Sequence, residues 1–273
     1  MVESPHHRGA AMRPPLVFAM RLFLLVAYLT LTCAPLAAQV TDHIARGDEA
    51  YTALRPVDAV THYEAAVAED SAGYEALWKA SRSLADLAEY EGDKATRTDM
   101  YRRAEQLAQR AVAVNPGDAE AHFHLARALG RVALSHGPKD RVKYGKAVRE
   151  HALEALRLDP DHPGALHVMG MWHAEVRRLP GIARFFAKSF LGGGIFGSAN
   201  WGEAVRLLSR AVEVDPQRIA HHLDLARIYR DTDDFAQARL HYQHVIDGAP
   251  TDYNDGHYKR EAAAELERLK DKD

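Results

Sequence analysis

Cysteine is all but missing from this chain. Cys33 is the only one in 273 residues, so no internal disulfide can form and no thiolate cluster can hold zinc. Also missing is the run of roughly 20 apolar residues that spans a bilayer; the longest apolar stretch, Val17 to Leu31, is interrupted by Arg21 and Thr30. Charge of one sign is not in excess, with 35 Lys and Arg against 38 Asp and Glu. That balance offers no basic face of the kind a nucleic-acid binder needs. Glycine and proline, 18 and 12 residues, are too few for a disordered chain. No stretch alternates apolar and polar residues in the two-residue rhythm of a strand.

The first 38 residues differ in character from the rest. Arg8 and Arg13 precede the apolar run, and Pro35-Leu36-Ala37-Ala38-Gln39 supplies a small-residue exit before polar sequence begins. This order predicts a secretory signal peptide over residues 1–38, cut near Ala38, with a retained anchor or a lipid on Cys33 as alternatives. The expected location is periplasmic or extracellular. Removing Arg8, Arg13 and Arg21 leaves 32 basic residues, and removing Glu3 leaves 37 acidic ones, a net of −5 for residues 39–273.

Four prolines then mark the chain at Pro116, Pro160, Pro216 and Pro250, each at the end of an apolar stretch. The last interval is 34 residues, the tetratricopeptide period; the others are 44 and 56, which implies inserts of 10 and 22. The final repeat, Ile219 to Asp252, fits the register without gaps, with Leu225, Ala226 and Tyr229 in its first helix (A) and Ala238 and Tyr242 in its second (B). Small residues at positions 8 and 20 let paired helices approach, and larger ones beside them fill the gaps. Earlier repeats offer Leu125-Ala126 and Met169-Gly170 at the same A positions and Ala104, Ala152 and Ala204 in B. A degenerate first repeat reads Gly47, Ala59, Tyr63 and Ala66. The fold class is therefore all-α: a right-handed superhelical solenoid of helical hairpins over residues 39–273, with Tyr258 to Lys270 as a capping helix.

Two segments carry a more specific likeness. Ala121-His122-Phe123-His124-Leu125-Ala126-Arg127-Ala128-Leu129-Gly130 and Leu166-His167-Val168-Met169-Gly170-Met171-Trp172, the latter followed by Leu179-Pro180 and Ala183 to Lys188, resemble the regulator of microtubule dynamics family. The resemblance covers roughly Glu75 to Leu269 and implies the fold, a scaffold role, and association with membranes or lipid. Members of that family are membrane-anchored and tied to microtubules; an exported relative would not meet tubulin.

Two sets of residues are candidates for binding. By register Phe123, Arg127, His167, Met171, Leu223, Arg227 and Arg230 line the concave face, where the arginines either clamp an anionic partner or pair with neighbouring Asp and Glu. In the insert, about residues 176–200, Leu179, Ile182, Phe186 and Phe190 follow helical spacing with Phe185 at the margin. Ile195 and Phe196 come after a glycine run. This insert either meets a membrane or covers an acyl chain, or it packs its stripe on the solenoid. His241 and His244 have the spacing of a metal pair but no third ligand nearby in sequence, so no metal or other cofactor is expected. The glycine run lacks the lysine and serine of a phosphate loop. With no nucleophile elbow or metal signature, the chain reads as a non-enzymatic scaffold for a peptide or envelope protein, with a lipid-binding module as the alternative.

Overall fold

The computed structural model describes residues 39–181 and 194–272; the signal-peptide segment and Ile182, Phe185, Phe186 and Phe190 of the insert lie outside them. Among the described residues there are helices and turns and no strand. The helices are α1 (39–52), α2 (Pro56–Glu69), α3 (Tyr74–Ala88), α4 (Lys94–Val114), α5 (Ala119–Ser135), α6 (Pro138–Leu158) and α7 (Pro163–Arg178). They continue with a single turn α8 (Gly194–Gly197), then α9 (Trp201–Val214), α10 (Ile219–Asp231), α11 (Phe235–Asp247) and α12 (Asp255–Arg268).

Local chemistry sets the boundaries. Pro116, Pro160 and Pro216 each lie in the two-residue turn after a B helix, where proline forces the residue before it out of helical geometry. The following A helices start at caps: Asp118 accepts from Glu120 N–H, and His162 Nδ1 accepts from Ala165 N–H at 3.2 Å. Asn200 and Asp234 cap α9 and α11 in the same way, the latter from the aspartate-rich turn expected to do so. Pro56, Pro138 and Pro163 occupy first helical turns, where a missing N–H costs nothing.

Hairpins form between α3 and α4, α5 and α6, α7 and α9, and α10 and α11, in the order the repeats require. Position 8 carries Ser81, Ala126, Gly170 and Ala226, all at helix crossings. A Cβ on Gly170 would lie 2.8 Å from Leu208 Cγ and 3.2 Å from the Ala204 carbonyl, so that crossing admits nothing larger. The core is a series of linked clusters along the array, the largest built on Leu125, Leu129, Leu166, Met169 and Trp172. The 10-residue excess ending at Pro160 does not form a loop. It extends α5 to 17 residues and α6 to 21.

The C-terminal helix does more than cover an end. Buried Asn254, just before α12, donates from Nδ2 to the Asp86 carbonyl at 2.9 Å and to Glu89 Oε2 at 3.3 Å. Tyr258 OH donates to the same Glu89 oxygen at 3.0 Å, and His257 stacks on Tyr90 with ring centres 3.8 Å apart. These partners are 165–169 residues apart in sequence for the hydrogen bonds to Glu89 and Asp86. The last helix thus meets the end of α3, and the array closes on its own concave face.

Replacing Asn254 with Ala leaves the Asp86 carbonyl without that buried donor, which costs about 1–3 kcal/mol. The expected outcome is a lower urea midpoint together with faster amide exchange in α12 than in α6 and α7. Equal protection in both regions would show that the closure is not held there.

Candidate functional site

The closed array surrounds a cavity of about 620 Å³, and all seven residues expected on the concave face, Phe123, Arg127, His167, Met171, Leu223, Arg227 and Arg230, line it. Its wall has two halves. Leu134, Val142, Val148, Met171, Val176 and Leu179 supply an apolar side from α5, α6 and α7, and Gly130 leaves open space there. Arginines on α3, α5, α7 and α10 supply the other.

Most of those arginines serve as rungs between successive A helices. Arg127 pairs with Asp86, which is 1% exposed, and Arg131 pairs with Glu89 at 2.6 Å, joining α5 to α3. Arg178 reaches Asp231 at 2.6 Å, joining α7 to α10. Arg227 meets Asp224 at 2.6 Å and Glu261 at 2.5 Å, and Arg230 meets Glu265 at 2.9 Å, joining α10 to α12. The three arginines proposed from sequence therefore both line the cavity and pair with carboxylates. Burial alone would raise the Asp86 pKa, but the charge and hydrogen bonds of Arg127 hold it below the ordinary carboxylate value.

Between α5 and α7 the link is aromatic instead. The Phe123 ring lies over Gly164, where a Cβ would come within 2.4 Å of it, and is 4.8 Å from the His162 ring. Phe123 is also 4.6 Å from His124, which stacks on Trp78 at 5.1 Å.

Phe196 is 4% exposed, packed on Trp172 at 5.9 Å between ring centres and against Gly145. It is a wall of the cavity, placed inside the protein rather than presented to a membrane. Ile195 is half-buried, packed at the edge of the same core and facing Lys146, Arg149 and Leu153. The Trp172 indole N–H donates to the Gly145 carbonyl at 2.7 Å, fixing the ring that Phe196 packs on.

Histidines meet in pairs across neighbouring helices. His122 and His151 approach Nδ1 to Nδ1 at 3.1 Å, and His222 and His241 at 3.0 Å, and in both pairs the A-helix histidine turns Nε2 to the carbonyl of the proline six residues before it. His244 stacks on His222 at 3.7 Å, so the pair noted in the sequence converges on a third imidazole. Among the described residues no group of three or more His, Cys, Asp or Glu is arranged to hold a metal ion. In the cavity, His167 and His221 face Nδ1 to Nδ1 at 2.8 Å, and His167 Nε2 lies 3.0 Å from Asp224. When His167 donates from Nε2 to Asp224, its Nδ1 accepts from His221, whose buried Nε2 has no partner among the described residues.

Sequence reasoning missed Tyr51, Arg82, Asp86, Glu89, Arg131, Arg178 and Arg218, which also belong to the site. One signal was present. Position 9 of the A helices reads Arg82, Arg127, Met171 and Arg227, so the register that placed three of them also places Arg82.

A closed array of helical hairpins with an ion-paired inner wall is a helical-repeat scaffold of the tetratricopeptide type. The family model for regulator of microtubule dynamics proteins 1–3 matches residues 41–270, and the chain belongs to that family. Regulator of microtubule dynamics protein 1 of Bos taurus is 27% identical over 159 residues, 57% of this chain and 49% of that one. Protein 2 of Homo sapiens is 24% identical over 59% of this chain and 39% of its own length. The chain thus spans about half, or less, of the curated relatives it matches. A thermophilic TPR protein of Thermus thermophilus shares the fold with TM-score 0.60 and 18% identity, covering 82% of this chain and 99% of that one. PilF of Pseudomonas aeruginosa does so with TM-score 0.50 and 12% identity over 86% and 94%.

Burial, ahead of the neighbouring charges, pushes His124 and His222 down to about 4, so both are neutral in the fold at pH 7. An unfolded histidine titrates near 6.5 and takes up protons that these two refuse, so stability falls as pH drops from about 6.5 towards 4, by roughly 1.4 kcal/mol per unit for each histidine. Urea midpoints should be lower at pH 5 than at pH 7.5, and His222→Gln should flatten that slope. A pH-independent midpoint would contradict the neutral assignment.

Proposed function

We propose that this protein is a non-enzymatic binding module that takes an extended peptide segment of a partner protein into its closed cavity. The observation that carries the reading is the closure itself. A concave face ringed by its own first and last repeats admits a slender chain, whereas an open groove also accepts a broad folded surface. A volume of about 620 Å³ lies in the range of ligand pockets, and the mixed wall offers apolar contact on one side and polar groups on the other.

A second reading draws on Phe196. Together with Trp172, Val176 and Leu179 it makes the apolar half continuous, a wall suited to an acyl chain, with the arginine half available to a head group. The apolar run before Ala38 supports export, so we place the module in the periplasm or outside the cell, away from the microtubules for which its relatives are named. N-terminal sequencing of the exported protein should begin near Gln39; recovery of the intact chain from the cytoplasm would overturn that placement.

Purification without detergent, followed by solvent extraction and mass spectrometry, separates the two readings by identifying peptide or lipid. Gly130→Leu tests the cavity: it fills open space on α5, and replacing a helical glycine should hold or raise stability by up to about 1 kcal/mol. Capture of the ligand found in the unsubstituted protein should be lost while the melting temperature is retained. Undiminished capture would place binding elsewhere.

A further inference from the structure

Among the described residues eight arginines line the cavity, and seven have a carboxylate oxygen within 4 Å. Arg82 has none among the described residues. Its guanidinium lies 3.6 Å from the centre of the Tyr51 ring and 5.1 Å from that of Trp78. Among the described residues its hydrogen bond is a long 3.4 Å contact to Tyr63 OH, which in turn donates to Asp48 at 2.7 Å. Its Nε is buried and has no acceptor.

The nearby carboxylates are taken. Asp86 is held by Arg127 and accepts from Tyr51 OH at 3.2 Å, and Asp252 is held by Arg218 at 2.5 Å. Asp86 feels the positive charge of Arg82, Arg127 and Arg218 together. Asp48, beyond the Tyr63 hydroxyl, is held with Glu75 by Lys79, so no carboxylate of the described residues touches the guanidinium whose buried N–H is unpaired. Arg82 is half-buried with its Nε shielded from solvent, and a guanidinium so placed without a touching carboxylate is set for a counter-ion that arrives from outside the chain.

Resting on the reading of the cavity as a binding site, we infer that Arg82 is the seat of a carboxylate carried by the ligand. One guanidinium without a touching carboxylate suits a single small anionic group, and its planar fork, held against aromatic rings, presents an edge to a planar carboxylate. The rest of the ligand has a path. From Trp78 the rings of His124, Phe123 and His162 follow one another at 5.1, 4.6 and 4.8 Å, leading from Arg82 across α5 to the start of α7. The ligand class is thus a chain ending in a carboxylate, supplied by a peptide C-terminus or by a free monocarboxylic acid.

The probes are octanoate, its uncharged analogue octanamide, and dibutyl phosphate, titrated into the full described module by calorimetry. Random nonapeptide pools with free or amidated C-termini are compared by retention and mass spectrometry. Octanoate should bind at least about tenfold more tightly than octanamide, and Arg82→Gln should remove that difference, with Arg82→Lys intermediate because it keeps charge but loses the fork. Arg82→Gln should melt no lower than the unsubstituted protein, because it removes an uncompensated charge; a merely structural arginine would melt lower. Enrichment of free over amidated peptides that depends on Arg82 supports the inference and assigns the source as a C-terminus. Octanoate binding that depends on Arg82 without peptide enrichment also supports it and assigns a free acid, while removing the peptide reading. Equal binding of octanoate and octanamide, no binding that depends on Arg82, or tighter binding of dibutyl phosphate overturns it, and none of these outcomes affects the Gly130→Leu result.

Discussion

Two carboxylates at the end of α3, one buried and one half-buried, are the constraint on which the rest of this structure depends. Asp86 is in the last turn and Glu89 caps it, where the helix dipole already presents its negative end. Neither group is tolerable there without cations and donors. Arg127 and Arg131 supply the charge from α5, and Asn254 and Tyr258 supply hydrogen bonds from the far end of the chain. Glu89 therefore receives donors from both neighbours of α3 in the closed array, one adjacent in sequence order and one from the last repeat. An open solenoid would leave Glu89 with Arg131 alone and solvent. Closure is how the fold meets the demand those two residues create, and the cavity exists because of closure.

The inner wall repeats that logic. Arg127 and Arg131 reach back from α5 to carboxylates of α3, and Arg178, Arg227 and Arg230 reach forward from α7 and α10, so much of the concave face is joined by ion-paired rungs. An isolated exposed ion pair contributes little, but a series sharing partners inside a partly closed space acts as a network. Where the rung is absent, between α5 and α7, Gly164 lets Phe123 sit down against the next helix, and contact replaces charge. That exchange puts an aromatic crossing next to the apolar half of the cavity.

Local features of this fold were legible in the sequence because they are local. The proline turns, the small residues at position 8 and the aspartate caps act within one hairpin, and register alone carried Phe123, Arg127, His167, Met171, Leu223, Arg227 and Arg230 to one face. Closure was not legible. It joins residues some 165 positions apart through an asparagine and a tyrosine that no repeat pattern marks. The histidine pairs escaped for a similar reason: His122 and His222 each find a partner on the B helix, and spacing within one helix, as in His241 and His244, says nothing of a ring arriving from another. Ile195 and Phe196 were grouped as one apolar unit, yet adjacent helical residues face different directions, and the structure sends one to the edge of the core and the other into the wall.

The irregular proline intervals acquire a meaning from the cavity. The 44-residue interval lengthens α5 and α6, and that extra length holds Leu134, Val142 and Gly145 above the neighbouring repeats. The 56-residue interval returns the chain as α8, which brings Phe196 down beside them. Both departures from the 34-residue period thus contribute to the same apolar half, while the regular A-helix positions contribute the arginine half. A uniform array would have had the second without the first: an ion-paired face with no apolar floor. The inserts convert that face into a cavity with two chemistries, and within it Arg82, alone among the described arginines of the wall in touching no carboxylate, stands at one end of a row of rings.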